Sequence, residues 1–184
     1  MIPQIIDAYL KHFPDEAKRL ERLSKQLAGS EPLNTRENRT GHVTGSGIVL
    51  SPDRKKVLLI YHKILRQWFQ PGGHMEHEDS SPLAAAQREV IEETAIQPDV
   101  YLALDPGQSL VPMDIDVHFI PANDQKHEPE HYHYDFRYVF VTNSMHTEHR
   151  VSEVEAAEWF AFTTPEASTI SAALAKLRNL QLID

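Results

Sequence analysis

Apolar residues recur at roughly helical spacing through the first 28 positions, at Ile5, Ile6, Tyr9, Leu10, Phe13, Leu20, Leu23 and Leu27. Pro14-Asp15-Glu16 interrupts that run, and because Pro suits a first helical turn, two helices are expected rather than one. A polar link follows over residues 29–40, carrying Ser30, Pro32, Asn34 and Asn38. From His42 the pattern becomes that of strands: residues 43–50 and 56–61 flank the turn signal Ser51-Pro52-Asp53. A helix is predicted to start near Ser81-Pro82 and run through Ala84-Ala85-Ala86. Further strands are predicted around 98–104, 113–121, 131–142 and 155–162. Thr164-Pro165-Glu166 opens a last helix, with Ile170, Leu174, Leu177 and Leu180 along one face. No internal repeat is found. This order predicts an α/β fold, an α/β/α sandwich whose mixed sheet is covered by helices. Residues 1–39 form an N-terminal helical extension and linker, and 40–184 the main domain. The extension can serve as a cap, a homodimer contact or a substrate lid; packing is the expected role, since amphipathic helices most often cover something apolar.

Composition narrows the class. The 184 residues are enough for a substantial core. The absence of cysteine excludes disulfides, thiolate metal sites and a cysteine nucleophile. The first residues lack a basic start and a long apolar run, and no stretch reaches the length of a membrane span, so a cytoplasmic protein without membrane partners is expected. A formal charge of −9 argues against nonspecific nucleic-acid binding. It does not argue against a phosphorylated substrate, because a bound metal reverses the local field.

The strongest chemical signal lies at Gly72-Gly73-His74-Met75-Glu76 and Arg88-Glu89-Val90-Ile91-Glu92-Glu93-Thr94. Glu89, Glu92 and Glu93 stand at i, i+3 and i+4 and so share a helix face, where like charges repel. A solvated acidic face is the plain reading. The Gly-Gly turn upstream and Arg88 beside the first Glu favour a hard cation such as Mg²⁺ instead.

These residues resemble the Nudix box, which runs Gly, five residues, Glu, seven residues, Arg-Glu, an aliphatic, any residue, Glu-Glu, any residue, Gly, an aliphatic. Gly73 begins it, and Arg88-Glu89-Val90-Ile91-Glu92-Glu93 matches its helix without a gap. The chain departs from the pattern in three places. The acidic position is Asp79, with Glu78 as the other assignment; the spacer before Arg88 is one residue longer; and Ala95 replaces the closing Gly. The first two fall in a loop that tolerates insertion. Gly after a helix usually supplies a left-handed residue, so Ala95 predicts a different exit.

The resemblance implies a Nudix-type α/β/α sandwich over about 40–182, and a pyrophosphohydrolase that uses Mg²⁺ or Mn²⁺ to cleave a small molecule containing a nucleoside diphosphate. It implies metal ligands among Glu89, Glu92, Glu93 and the Gly73 carbonyl, with Glu89, Arg88 and Glu92 as the catalytic set. Arg88 would orient a box carboxylate through a bidentate pair. Glu89 leads as general base, and Glu128, Glu130, Glu153 and Glu155 are loop alternatives. A different class, a catalytically weak nucleotide-binding or regulatory module on the same fold, is disfavoured by the intact Arg88, Glu89, Glu92 and Glu93.

The second signal is the run from Glu128 to Tyr138. Strand alternation sends His131, His133, Asp135 and Arg137 to one side and Tyr132, Tyr134, Phe136 and Tyr138 to the other. That polar side is either a wet sheet face or a site. With His42 opening the first core strand and His74 following the glycines, a set of His42, His74, His133 and Asp135 could hold a second divalent metal of the Zn, Mn or Fe kind. For substrate, Arg36, Arg39 and Arg137 are candidate phosphate contacts, and Trp68 either stacks on a base or packs in the core. His62, Lys63, Arg66 and Gln67 form a basic loop that is either solvated or guides an anion.

Overall fold

A computed structural model describes residues 1–104, 107, 110–124, 127–149 and 151–184. Helix α1 (Ile2–His12) has Pro3 in its first turn and ends before Pro14, which opens a 3₁₀ turn (Pro14–Glu16) ahead of α2 (Glu21–Leu27). The break at Pro14 arises because the residue before a proline is pushed out of the helical region. Among the described residues no helix is long and apolar enough to cross a membrane.

The sheet is built on a parallel pair, β1 (Gly41–Leu50) and β7 (His131–Val141), in register from Gly41↔Tyr132 to Leu50↔Val141. On the other edge of β1 lie β4 (Gly72–His74), opposite Thr44–Ser46, and β2 (Lys56–His62), which joins at Leu50. The short β3 (Gln67–Phe69) and the long β8 (Val154–Ala161) pair with β2. Beyond β7 lie β6 (Asp114–Ile120) and the two-residue β5 (Val100–Tyr101). The strand expected over 98–104 is this short because Pro98 offers no N–H and Asp99 turns its carboxylate back to the Asn143 N–H and the Thr142 hydroxyl.

Period-two alternation sorts the apolar side chains of the sheet into two layers. Val43, Val49, Tyr134, Phe136, Tyr138 and Phe140 pack with α3 (Pro82–Thr94), α1 and α2. Ile48, Leu50, Val57, Leu59, Val139 and Val141 pack with a 3₁₀ segment (Pro165–Ile170) and α4 (Ser171–Asn179). The fold is therefore the mixed α/β sandwich expected from the pattern. Helix α3 sits close on β1: a Cβ at Gly45 would meet the Pro82 carbonyl at 2.4 Å, so only glycine admits that approach.

The N-terminal helices belong to the core. Ile2, Ile5, Ile6, Tyr9, Leu20 and Leu23 are all buried in the α3-side layer. The Tyr9 hydroxyl bonds Glu16 and receives the Lys176 ammonium of α4 at 2.6 Å, while Arg19 reaches Asp114 on β6 at 2.9 Å. Asn38 orders the linker by accepting from Thr40 N–H and Gln26 Nε2 at 3.2 Å.

One expectation is corrected at the end of α3. Ala95 does not give a different exit: it takes the left-handed conformation itself, at φ 59° and ψ 6°, with its N–H on the Ile91 carbonyl at 2.9 Å. The geometry normally supplied by Gly is kept with an alanine in it, at a steric cost.

Candidate active site

Helix α3 starts at Ser81, whose hydroxyl accepts the Ala84 N–H at 3.1 Å, and Pro82 occupies its first position. The cap sets the helix phase, so that Glu89 and Glu93, one turn apart, face the strand Gly72–His74. Glu93 is buried, and its Oε2 accepts the Gly72 N–H at 2.9 Å. Glu89 lies against Gly73, where a Cβ would stand 2.4 Å from its Oε1. Glu92 is exposed on the same side.

Arg88 ties these groups together. Its Nε and Nη2 form a fork on Asp79, with the shortest contact at 2.9 Å; Nη1 donates to Glu89 at 2.9 Å and to Glu92 at 3.1 Å; and Nη2 also donates to the His74 carbonyl at 2.9 Å. Of the two acidic assignments, Asp79 and Glu78, it is therefore Asp79 that Arg88 engages. Burial pushes the Glu93 carboxyl up to about 8, with Glu89, Glu153 and Glu92 adding to the effect against the Gly72 N–H. Burial also raises Glu89, and Arg88 opposes it only in part. Both carboxyls are thus raised first by burial, with like charges beside them adding to it. Of the four loop acids, Glu153 lies near enough to Glu93 for its charge to count; Glu128 pairs with Arg36 at 2.8 Å, and Glu130 and Glu155 are exposed.

The polar side of β7 is largely buried rather than wet. Asp135 does not join the imidazoles. Its Oδ1 accepts from the Thr44 and Ser46 hydroxyls at 3.0 and 2.6 Å, and its Oδ2 from Arg137 Nε and Gln70 Nε2 at 3.0 and 3.1 Å. Arg137, 8% exposed, is held by Asp135, Asp114 and Asp116, so this guanidinium is an internal ion-pair partner and not an open phosphate contact. The strand pattern alone offers both residues as ligand contacts. The parallel pairing with β1 and the antiparallel pairing with β6 set them beside hydroxyls and opposite charges instead.

The histidines do converge. The rings of His42 and His74 are 5.0 Å apart by centroid, and His133 lies 4.9 Å from each. His131, absent from the set expected from sequence, stands 5.0 Å from both His42 and His133, and His118 of β6 is 5.4 Å from His133. Alternation puts His131 on the correct face; only the register brings it to His42. Burial lowers the pKa of His42, His74 and His133, His74 to about 4, so these rings are neutral near neutral pH.

The remaining candidates are dispersed. Arg36 is exposed and paired with Glu128, and Arg39 is exposed at the end of the linker. Trp68 packs edge-on against Phe160 at 4.6 Å and near Tyr61 at 5.3 Å. In the loop between β2 and β3, Lys63 and Arg66 are exposed, and Lys63 Nζ donates to the Ser152 carbonyl at 2.9 Å.

A family model described as NUDIX domain matches residues 41–179. A probable DHNTP pyrophosphohydrolase of Lactococcus lactis subsp. cremoris (strain MG1363) is 32% identical over 106 residues, covering 58% of this chain and 57% of that protein's length. Among solved structures, a NUDIX-family hydrolase from Clostridium perfringens aligns with a TM-score of 0.56 at 23% identity, covering 78% of this chain and 99% of that one. The NUDIX domain of Shewanella oneidensis NrtR, complexed with ADP ribose, aligns with a TM-score of 0.56 at 17% identity, over 86% of this chain and 97% of that one. These two likenesses are of fold.

Proposed function

The chain belongs to the NUDIX domain family, and from that premise we propose that it is a hydrolase that cleaves the diphosphate linkage of a nucleoside-diphosphate-like small molecule with Mg²⁺ as cofactor. The observation that carries the reading is the buried Glu89–Glu93 pair set against the Gly72–His74 strand and gripped by Arg88. The Lactococcus relative, named a pyrophosphohydrolase, supports the reaction type over the part of the chain it covers.

The donor set suits a hard divalent cation. It offers carboxylate oxygens from Glu89 and Glu93, with Glu92 and the Gly73 carbonyl beside them, and the Glu93 carboxyl, raised chiefly by burial and further by neighbouring acids, is one whose charged form a cation would favour. When bound, Mg²⁺ supplies charge for the phosphate oxygens. The protein's own residues do the rest. Water attacks phosphorus, the new P–O bond forms as the bond to the bridging oxygen breaks, and the water proton passes to a carboxylate. Glu89, whose proton affinity burial has raised, is the first choice of base, and Glu153 is the loop acid next in line. Arg88 acts as a positioning residue: its bonds to Asp79 and the His74 carbonyl hold it rigid while it fixes Glu89.

The test is phosphate release from a panel of nucleoside triphosphates, ADP-ribose, dinucleoside polyphosphates and pterin triphosphates, with Mg²⁺, Mn²⁺, Zn²⁺ or chelator, beside Glu93→Gln. Turnover of one class that needs Mg²⁺ and fails in the variant is the expected result. Flat activity with retained nucleotide binding would overturn it in favour of a binding module.

A further inference from the structure

On the sheet face turned from α3, strand pairing brings imidazoles from separate strands to one place. His42 on β1 is in register with His133 on β7, His118 on β6 stands opposite His133, and His74 on β4 lies opposite Thr44. We propose that His42, His131 and His133 form a binding site for a divalent transition metal of the Zn²⁺, Mn²⁺ or Fe²⁺ class, with His74 flanking its fourth position.

The tautomers are set for it. His42 Nδ1 lies 3.0 Å from the Asn38 carbonyl, and His131 Nδ1 lies 2.8 Å from the Pro129 carbonyl. A carbonyl can only accept, so both rings carry their proton on Nδ1 and present a bare Nε2 lone pair. Metal-bound histidines are held in the same way, with the second nitrogen donating to a carbonyl or carboxylate. Here that holding group is built from the linker on one side and from the turn before β7 on the other.

The Nε2 lone pair of His42 has nowhere to go. The residue is 2% exposed, and this nitrogen is buried with no hydrogen-bond partner among the described residues. A buried acceptor without a partner carries an uncompensated desolvation cost and calls for an explanation. A cation in front of it removes that cost.

The spacing suits a small ion. His131 Nε2 and His133 Nε2 are 3.2 Å apart. Two nitrogens bonded to a tetrahedral ion at about 2.0–2.1 Å stand about 3.3 Å from one another. One ligand atom from each of the three histidines falls within 4.8 Å of the others, so closing on an ion needs only small movements of side chains already side by side. A direct bond between His131 and His133 would satisfy those two nitrogens and still leave His42 Nε2 alone.

The ligand chemistry separates this site from the carboxylates of α3. Neutral imidazoles favour borderline metals, whereas Mg²⁺ prefers oxygen. Asp135 is fully engaged by Thr44, Ser46, Gln70 and Arg137, and His118 stands outside the group of three histidines whose ligand atoms all lie within 4.8 Å of one another, so neither belongs to the set.

The experiment loads the purified protein with ZnCl₂ in excess Mg²⁺, passes it through gel filtration and measures zinc by elemental analysis; Co²⁺ loading gives a visible spectrum as a second readout. Wild type and Glu93→Gln are expected to retain about one zinc per chain and to show the intense bands of a low-coordinate nitrogen site. His131→Gln and His133→Gln, checked for native circular dichroism, are expected to lose both. Should one of these variants not fold, the other and the wild-type spectrum still decide. Wild type retaining no zinc, zinc persisting in the folded histidine variants, or zinc lost in Glu93→Gln would each overturn the proposal.

Discussion

The Glu89 carboxylate occupies the space where a side chain of Gly73 would be: a Cβ there would stand 2.4 Å from Oε1 and 2.7 Å from the carboxyl carbon. Helix and strand thus meet through a carboxylate rather than through packed methyls. In Gly73→Ala the flexible end of Glu89 must move while the backbone stays. The expected outcome is a fall in kcat of about 100-fold, the scale of a misplacement near 1 Å, with the melting temperature changed by only a few degrees. Steady-state kinetics and a thermal melt on the same preparation test it; unchanged kcat would remove Glu89 from the reacting centre.

Glu93 sets a pH dependence. Its folded pKa, about 8, is above that of an unfolded glutamate, so its contribution to metal-free stability is complete below about pH 4.5 and is lost as pH rises through about 8. Metal-free protein is expected to weaken across that window by an amount on the order of a few kcal/mol, since each tenfold change in proton affinity corresponds to about 1.4 kcal/mol. Glu93→Gln, which mimics the protonated acid, should flatten the slope. Urea denaturation in chelator at several pH values reads this directly. The same protonation predicts that Mg²⁺ affinity rises with pH and that binding releases a proton.

Arg88 has to be an arginine. Lysine keeps the charge but cannot reach Asp79, Glu89, Glu92 and the His74 carbonyl together. Arg88→Lys is expected to lower kcat about 10- to 100-fold while the protein stays folded. Arg88→Met leaves the Asp79 side chain, 6% exposed, without its partner, and should cost about 3–5 kcal/mol. Equal stability of the two variants would show that the fork does not hold the loop.

Ala95 carries a conformational penalty in its left-handed geometry. Ala95→Gly is expected to stabilise the protein by about 1 kcal/mol, or about 2–4 °C in melting temperature, without changing activity. A drop in melting temperature would mean that the alanine methyl is packed to more effect than the strain it costs.

Asp114 governs the acid limb. Burial raises its pKa, but Arg137, Arg19 and Lys176 outweigh that and hold it below the usual carboxylate range. Its contribution is therefore present above the unfolded value and lost as pH falls through the folded one. Asp114→Asn is expected to destabilise the protein at pH 7 by about 3 kcal/mol or more, to loosen the extension held through Arg19, and to reduce the loss of stability on acidification. Denaturant melts at pH 7 and pH 3 check all of this; the same slope in both proteins would reject it.

How much of the site is legible in the sequence depends on how local its geometry is. Residues 88–93 declare their shared face because a helix fixes neighbours at i, i+3 and i+4 with no outside help. Ala95 misleads because a missing glycine reads as a missing conformation, whereas an alanine can stand in the left-handed region at a steric cost. Arg137 looks like a free cation because burial and partners some twenty residues away on β6 do not register in a strand pattern.

By itself the sequence determined the order of the helices and of the longer strands, the two faces of β7 and the carboxylate helix, since period is a property of short stretches of chain; the three-residue β3 and β4, the second standing where the Gly-Gly pair reads as a turn, are too short to show one. Only the tertiary structure decided which groups on those faces meet. The parallel register of β1 with β7 puts His42 beside His133 and Thr44 beside Asp135 across about ninety residues of chain, and a slip of one residue would have exchanged their faces. Pairing across such distances rests on the whole core, which is why the sequence could offer His42, His74 and His133 as a set, while only the folded protein added His131, removed Asp135 and left the His42 Nε2 buried without a partner among the described residues.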